Sequence, residues 1–403
     1  MTPLLATVIA RIQREGPLTF AAFMEIALYD PEHGYYGSGR AKIGSDGDFQ
    51  TAVSVGPLFG ALLARQFVQM WERQGTPSEW TLVEQGAFDG QLAADVLSGL
   101  QTFAPDCLKA TTLRLVEPLP RLREKQLETL RCFGDRVAWH PDIESLPQFC
   151  GIHYSNELLD AFPVHRLQRK DKGWREWRVD TDGTALFWVE TQIEDPAVHR
   201  AAERFGQREV GTFAEVCTGY TPHLRAVGSK LQSGWMLALD YGMSEAELAL
   251  PIRRDGTLSS YRKQRRVADL LGRPGEQDLT SHVNFSALAL EAQALGWTLE
   301  GYTEQYRFFT GLAPLHFRDA IAPLTAEEQR RLLSFRTLTH PQLMGFQFKA
   351  FCLRQQVGRE SFDNGAAAVV GGPLLSGFGL AKDSAGILFG ERPSFTSIHA
   401  TPG

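Results

Sequence analysis

The chain has 403 residues, and its 41 basic and 47 acidic side chains give a net charge of -6. This acidic balance disfavours general binders of nucleic acid or of anionic membranes, which carry basic surfaces. Hydrophobic residues make up 43% of the chain, enough to fill the core of one large elaborated domain or of two smaller ones. Small molecules or proteins are therefore the expected partners.

The cysteines and the N-terminus bear on the cellular compartment of the protein and on whether it binds a metal. The five cysteines are scattered, without a C-x-x-C pair or a histidine at metal-binding spacing. They are expected to be reduced thiols, and no metal site is predicted. The N-terminus lacks a cationic stretch followed by an apolar one, and no later run is apolar for about 18 residues. We predict a soluble cytoplasmic protein.

The first part of the chain, residues 1–78, is predicted to be helical with one loop that covers a ligand. Apolar residues such as Leu5, Ile9 and Ile12 recur at helical spacing, and a second apolar series follows the Gly16-Pro17 break. The loop around residues 29–37 is rich in glycine and aromatic residues and is a candidate for binding.

From Trp80 onward, apolar runs alternate with helical patterns, which predicts an α/β fold with a mostly parallel sheet. We assign residues 79–245 and 286–360 to this core and 246–285 to an insert on the acceptor side. The tail 361–403 has little periodicity and is expected to be poorly ordered. The segment 252–266 is locally basic and is either a solvated loop or a contact for an acidic partner.

A glycine turn after the first core strand is typical of a nucleoside site. The strand ends at Glu84, and Gly86 and Gly90 follow before an amphipathic helix. Glycines permit backbone angles that side chains disfavour and let the main chain approach a ligand. Phe88 occupies the middle position of the usual glycine pattern, and a turn with two glycines can also be purely structural.

Acidic residues recur at the predicted carboxyl ends of successive strands, where α/β proteins bind ligands. Glu84 ends the first strand, Glu117 ends the second, and Asp142 follows the third. Glu117 could accept hydrogen bonds from ribose hydroxyls, and Asp142 could bind an adenine amino group. Each acid alone could equally cap a helix. The first strand is not followed by the G-x-G-x-x-G pattern that binds a pyrophosphate. The acidic residues therefore favour a positively charged sulfonium cofactor over a dinucleotide.

Polar residues after two later strands predict the acceptor side of the site. Asn156, Glu157 and Asp160 follow the fourth strand, and Asp240 ends a later one at a glycine turn. They could orient an acceptor nitrogen and take its proton. The structural alternative is that Asn156 caps a helix and that Asp160 is solvated. Asp278 and His282 are four residues apart, so one helical turn would bring them to the same face. A lone histidine is, however, usually structural.

Together these motifs resemble the MidA-like, or NDUFAF seven-type, S-adenosylmethionine-dependent methyltransferases, whose mitochondrial members modify an arginine of a respiratory complex I subunit. The resemblance is carried by residues 29–36, 47–51, 84–92, 115–117, 155–164, 240–242, 256–258 and 274–283. It implies a class I (Rossmann-like) core with a seven-stranded sheet, an N-terminal helical region and an insert after the fifth strand.

The resemblance also implies site residues and a reaction. Cofactor positions would be Gly86, Gly90, Glu117 and Asp142, with Asp48 and Thr51 from the upstream loop, and segment 156–163 would face the acceptor. The implied reaction is methyl transfer from S-adenosyl-L-methionine to a protein nitrogen, with arginine as the family's acceptor.

The main departure from the family is the turn Gly86-Ala-Phe-Asp-Gly90, where the family has G-P-G-R-G. A large ring at position 88 is expected to alter or weaken cofactor binding. Two other functions therefore stay open: a non-catalytic assembly or binding factor that keeps the fold, and, from the strand-end acids alone, a dinucleotide-dependent oxidoreductase.

Overall fold

A computed structural model describes residues 2–39, 52–206, 208–263, 265–317, 325–356, 375–381 and 383–389. The strands in chain order are β1 Leu18–Thr19, β2 Trp80–Gln85, β3 Thr111–Val116, β4 Val137–His140, β5 Phe149–Asn156, β6 Val164–Lys170, β7 Gly173–Thr181, β8 Leu186–Thr191, β9 Phe213–Cys217, β10 Leu231–Met243, β11 Ser259–Arg262, β12 Arg265–Val267, β13 Asp278–Thr280, β14 Val283–Asn284, β15 Thr298–Glu304 and β16 Phe348–Gln356. The α-helices are α1 Pro3–Glu15, α2 Phe20–Tyr29, α3 Leu58–Arg73, α4 Gln91–Phe103, α5 Pro105–Ala110, α6 Pro120–Leu130, α7 Pro196–Arg204, α8 Tyr220–Lys230, α9 Glu245–Leu248, α10 Phe285–Ala294, α11 Gln305–His316, α12 Ala326–Thr339 and α13 Ser384–Phe389.

The central sheet has the order β15-β16-β10-β5-β2-β3-β4. Neighbouring strands from β10 to β4 are parallel, and β16 runs antiparallel to both of its neighbours. The predicted α/β fold with a mostly parallel sheet is therefore confirmed. In the described residues a short strand, β14, also pairs with β10, which makes an eight-stranded sheet. The predicted count of seven strands is thus not confirmed.

Both faces of the central sheet are covered by helices, which explains why its strands are apolar without strict alternation. Along β2, Leu82 belongs to one buried cluster with residues of α3 and α4, and Val83 belongs to another with residues of α8 and α10. The carboxyl ends of the parallel strands consequently meet at one edge, which is left to loops.

A second, antiparallel sheet is formed by the N-terminal strand β1 and by the four strands that lie between β5 and β10 in the chain. Its order is β1-β7-β6-β9, with β8 paired to β7. The sequence predicts strands near residues 175–188 but places them in the methyltransferase core. They instead extend a separate sheet, whose polar and apolar residues alternate only partly. A third sheet, β12-β11-β13, is formed by residues of the predicted insert.

The N-terminal helices α1 and α2 pack over this second sheet with one apolar cluster. Thr2 and Thr19 cap them, each accepting a hydrogen bond from a backbone N–H three residues later. The turn after α2 then brings Tyr36 back toward the sheet edge, where its ring stacks on Tyr29 with centroids 5.8 Å apart. No helix in the described part of the chain is long and apolar enough to cross a membrane.

Part of the predicted tail is packed on the core, contrary to the expectation of poor order. Phe378 is buried with its ring centroid 5.2 Å from that of Phe308. The N–H of Gly377 donates to Oε1 of the buried Gln66 at 3.0 Å. The sequence does not predict this packing, because the few apolar residues of this stretch follow a glycine-rich run and show no periodicity.

Candidate active site

A cavity of about 1390 Å³ lies beyond the carboxyl ends of β2, β3, β5 and β10. Its described lining is strongly acidic, with seven carboxylates, namely Glu25, Glu84, Asp89, Glu117, Glu157, Asp160 and Asp278, and one arginine. That arginine, Arg121, donates a hydrogen bond from its guanidinium to the backbone oxygen of Ser38 at 2.9 Å. The cavity therefore favours ligands that carry positive charge.

The glycine turn adopts left-handed backbone angles at three positions. Gly86 and Gly90 have φ of 77° and 83°, and Phe88 between them has φ of 48°. The backbone at position 88 thus has the conformation that favours glycine, although the residue is phenylalanine. The Phe88 ring is half-buried, packs against the N-terminal apolar cluster and lies 5.3 Å from Nζ of Lys125. The turn is thus left-handed at all three positions, and neighbours outside the turn hold the ring.

Glu117 is placed at the end of β3 by its own hydrogen bonds and by Gln126. One carboxylate oxygen accepts from the N–H of Leu119 at 2.9 Å, and the other accepts from Nε2 of Gln126 at 3.1 Å. The same Gln126 amide donates to the backbone oxygen of Phe88 at 2.9 Å. Burial raises the pKa of Glu117 to about 6. Gln126 therefore ties the glycine turn to the acid predicted to bind ribose.

Glu84 lies at the base of the cavity and is almost fully buried. The hydroxyl of Tyr154, from the neighbouring strand β5, donates to its carboxylate at 2.9 Å. Burial raises the pKa of Glu84 to about 8. A cation placed beside it would reverse that shift by stabilising the carboxylate.

The end of the cavity around residues 156–160 combines carboxylates with aromatic hydroxyls. Asp160 accepts hydrogen bonds from the hydroxyls of Tyr241 and Thr280. Asp278 accepts one from the hydroxyl of Tyr36 at 3.0 Å. Glu157 accepts one from the Asn156 amide at 3.1 Å, and its backbone has the left-handed φ of 52°.

Burial, followed by the charge of Asp160, raises the pKa of Glu157 to about 8. Burial also raises the pKa of Asp160. Oδ1 of Asp160 and Oδ1 of Asn156 are buried without a hydrogen-bond partner within the described structure. These orphaned acceptors suit a ligand that brings N–H donors.

Asp240 does not line the cavity and is fully buried beneath it. Its Oδ2 accepts from the backbone N–H groups of Leu158 and Leu159 at 3.1 and 2.8 Å. The sequence assigns Asp240 to the catalytic set, whereas its contacts are those of a cap for the turn that carries Asp160. Asp240 therefore holds this turn in place.

Asp142 is not brought to the cavity. It is exposed, and its carboxylate accepts from the N–H of Ser145 at 2.7 Å, so it caps a local turn. The predicted cofactor residues Asp48 and Thr51 lie outside the described residues. Gly90 does not line the cavity and is the N-cap residue of α4.

Asp278 and His282 both line the cavity, but not through a helical turn. Asp278 lies in β13, and the chain is extended again at β14 directly after the histidine. Burial lowers the pKa of His282 to about 4, so it is neutral at physiological pH.

Three lining or supporting residues, Glu25, Gln126 and Tyr154, have no local sequence signal for their role, and a fourth, Tyr36, lies in the loop that the sequence marks only as a whole. Glu25 and Tyr36 come from the N-terminal region, and burial raises the pKa of Glu25. Only the glycine- and aromatic-rich loop pointed to one of them, because a loop of that composition is a candidate for binding.

Comparisons with known proteins agree with this geometry. A family described as "Putative S-adenosyl-L-methionine-dependent methyltransferase" matches residues 62–303, more than half of the chain. The mouse protein named protein arginine methyltransferase NDUFAF7, mitochondrial, is 31% identical over 386 residues, covering 88% of this chain and 84% of its own length. The human protein of that name is 28% identical, covering 89% of this chain and 86% of its own length.

A solved structure described as a "likely methyl transferase from Burkholderia thailandensis bound to S-adenosyl-homocysteine" is 29% identical. It superposes with a TM-score of 0.79, covering 88% of this chain and 92% of that chain. The cytoplasmic location predicted from the sequence is contradicted by the relatives, which are named mitochondrial proteins. The cavity, the fold and these matches together show that the chain belongs to the S-adenosyl-L-methionine-dependent methyltransferase family and is an enzyme that uses this cofactor.

Proposed function

We propose that this enzyme methylates a side-chain nitrogen of an arginine in a protein substrate. The observation that carries the proposal is the cluster of buried carboxylates at the acceptor end, Glu157, Asp160 and Asp278, with tyrosine rings beside them. A guanidinium is planar, carries a delocalised positive charge and presents several N–H donors, which suits such a cluster. The curated relatives named protein arginine methyltransferases support the same acceptor.

The residues at the other end fit the cofactor. S-adenosylmethionine supplies, when bound, an activated methyl group on a positively charged sulfonium. Glu117 would accept hydrogen bonds from ribose, the turn from Gly86 to Gly90 would lie along the amino-acid part, and Glu84 would meet its ammonium group. Among the described residues, the acidic lining offers no comparable cradle for the phosphates of a dinucleotide, which argues against the oxidoreductase alternative.

On the acceptor side, the chain's own contribution is positioning and proton removal. Asp160, held by Tyr241 and Thr280, would fix one edge of the guanidinium, and Glu157 would accept from another N–H. The methylated nitrogen must lose one N–H proton, and Glu157 can take it because its pKa, raised by burial to about 8, lies near working pH. Asn156 donates to Glu157 and keeps it in place.

The test is transfer of labelled methyl groups into a lysate from cells that lack the gene, with wild type compared with Glu157→Gln. Labelled protein is hydrolysed and its amino acids are separated. We expect methylarginine from wild type and at least about a hundredfold less from Glu157→Gln. Calorimetry with S-adenosyl-homocysteine is the control, because the variant should still bind the cofactor product. Label in another amino acid, or equal label from the variant, would contradict the proposal.

A further inference from the structure

A basic β-hairpin borders the cavity through Tyr261, which pairs with the lining carboxylate Asp278. It consists of β11 and β12, and between Arg262 and Arg266 it carries four basic residues in five positions. The side chains of Arg265 and Arg266 are exposed. Nothing in the proposed chemistry at the cavity floor uses these charges.

The strand register places one of these arginines on the cavity side. Tyr261 pairs across β11 and β13 with Asp278, and both residues line the cavity. On its other side Tyr261 pairs with Arg266, while Arg265 pairs with Arg262. Directly opposed residues in antiparallel strands share a face, and successive residues alternate faces. Arg266 therefore shares the face of Tyr261 and Asp278, and Arg265 lies on the reverse face.

The electrostatics of His282 give independent support for this placement. His282 lines the cavity, and its pKa is lowered first by burial and then by the charges of Arg253, Lys349 and Arg266. Three cationic side chains thus lie near His282, although the cavity is otherwise lined by carboxylates. Positive and negative charge are separated along the path that a side chain follows into the site.

We propose that Arg266 and the β11–β12 hairpin bind acidic residues that flank the target arginine in the protein substrate. The identity of the target rests on the proposed function; the docking of an acidic segment does not. Two strand spacings separate β13 from β12, so the backbones of Asp278 and Arg266 are about 10 Å apart. Residues two or three positions from the target lie about 7 to 10 Å from it in an extended peptide, which places their carboxylates at the hairpin.

An acidic protein segment fits better than a membrane surface or a nucleic acid. The whole chain has a net charge of -6, and the basic hairpin borders a cavity with seven lining carboxylates among the described residues. An extended polyanion would meet those carboxylates as well as the hairpin. A short segment with an arginine between acids complements both regions at once.

The test uses the full chain and fluorescently labelled nine-residue peptides with a central arginine. One peptide has aspartates two and three positions on each side, and the other has serines there. Binding is measured by fluorescence anisotropy at low and at physiological salt for wild type, Arg266→Glu and Arg265→Glu. The two variants change the net charge equally and differ in the face of the hairpin that they alter.

We expect the aspartate peptide to bind wild type about tenfold more tightly than the serine peptide at low salt, and less so as salt is raised. Arg266→Glu should remove that preference, and Arg265→Glu should keep most of it. Equal binding of the two peptides, or equal loss in the two variants, would overturn the proposal. So would binding to RNA or to anionic phospholipid vesicles that depends on Arg266 when the aspartate peptide does not bind.

A further arm separates this proposal from the proposed function. A third peptide keeps the aspartates but replaces the central arginine with citrulline, its uncharged analogue. If the preference for aspartate persists and depends on Arg266 while no peptide is methylated, the docking surface stands and the proposed acceptor is wrong. If arginine is methylated equally in the aspartate and serine peptides, the acceptor stands and the docking proposal fails.

Discussion

The buried carboxylate of Asp240 accepts a hydrogen bond from the backbone N–H of Leu159 at 2.8 Å and thereby ties the end of β10 to the turn after β5. The same oxygen accepts from the N–H of Leu158, and the other oxygen accepts from the N–H of Tyr241. That turn carries both Glu157 and Asp160 toward the cavity. Asp240 thus fixes where these two carboxylates lie without itself lining the cavity.

Replacing Asp240 with alanine should destabilise the protein and misplace the turn. Two or more buried N–H groups would lose their acceptor, at a cost of about 2 to 4 kcal/mol in the free energy of unfolding. Asp240→Asn keeps the shape and one acceptor oxygen, so it should cost less. Chemical denaturation and steady-state kinetics on both variants check this. A loss of turnover with unchanged stability would instead favour a direct chemical role.

The raised pKa of Glu157, about 8 against 4.5 for the ordinary carboxyl, predicts a pH dependence of both stability and catalysis. Between these values the folded protein keeps a proton that the unfolded chain releases, so the free energy of unfolding falls as pH rises from about 4.5 toward 8. The ionised carboxylate is the form that binds a cation and takes a proton. We therefore expect KM for an arginine peptide to fall as pH rises through the same range.

Glu157→Gln should flatten both pH profiles, because the amide does not titrate. Stability is followed by thermal unfolding at several pH values, and KM by methyl transfer or peptide binding. Asp89→Asn is a matched control, since it removes a lining carboxylate without touching the Glu157 site. A profile that keeps its slope in Glu157→Gln would assign the titration to another group.

The left-handed backbone of Phe88 predicts an unusual order of stability for two variants. Both Phe88→Ala and Phe88→Gly lose the packing of the ring, but only glycine relieves the backbone strain at φ of 48°. Phe88→Gly should therefore be more stable than Phe88→Ala by about 1 kcal/mol. Denaturant unfolding of the pair measures this difference, and an alanine variant of equal or greater stability would contradict it.

The same pair tests whether the Phe88 ring obstructs the cofactor. The ring is held by the N-terminal cluster and Lys125, so we expect Phe88→Gly to bind S-adenosyl-homocysteine within about threefold of wild type. Calorimetry with S-adenosyl-homocysteine measures this affinity. A tightening of tenfold or more would show that the ring occupies space that the cofactor needs.

Glu117 and Asp142 provide a matched comparison on the cofactor side, because the sequence assigns both to the nucleoside and only Glu117 lines the cavity. Glu117→Ala should weaken S-adenosyl-homocysteine binding by about 10- to 100-fold, through the loss of two hydrogen bonds to a charged acceptor. Asp142→Ala should leave the affinity unchanged, since that carboxylate caps a local turn. Equal losses would restore Asp142 to the cofactor site.

The sequence was sufficient for those features that follow from local pattern and from the general geometry of parallel sheets. Apolar runs separated by helical patterns predicted the α/β core, and acids after successive strands predicted a polar site at one edge. Glu84, Glu117 and Asn156-Glu157 do meet at that edge. Their convergence follows because the carboxyl ends of parallel strands lie together, whatever the details of packing.

The sequence alone thus determined the core fold and the edge where the polar residues gather, because both follow from periodicity and strand direction. Only the tertiary structure decided which polar residues face the cavity: Asp240 turns inward to backbone donors, Asp142 turns outward, and Glu25 and Tyr36 arrive from a distant segment. The physical reason is that a carboxylate at a strand end takes whichever hydrogen-bond donors the fold brings to it. Those donors come from residues far away in the chain, which no local pattern specifies.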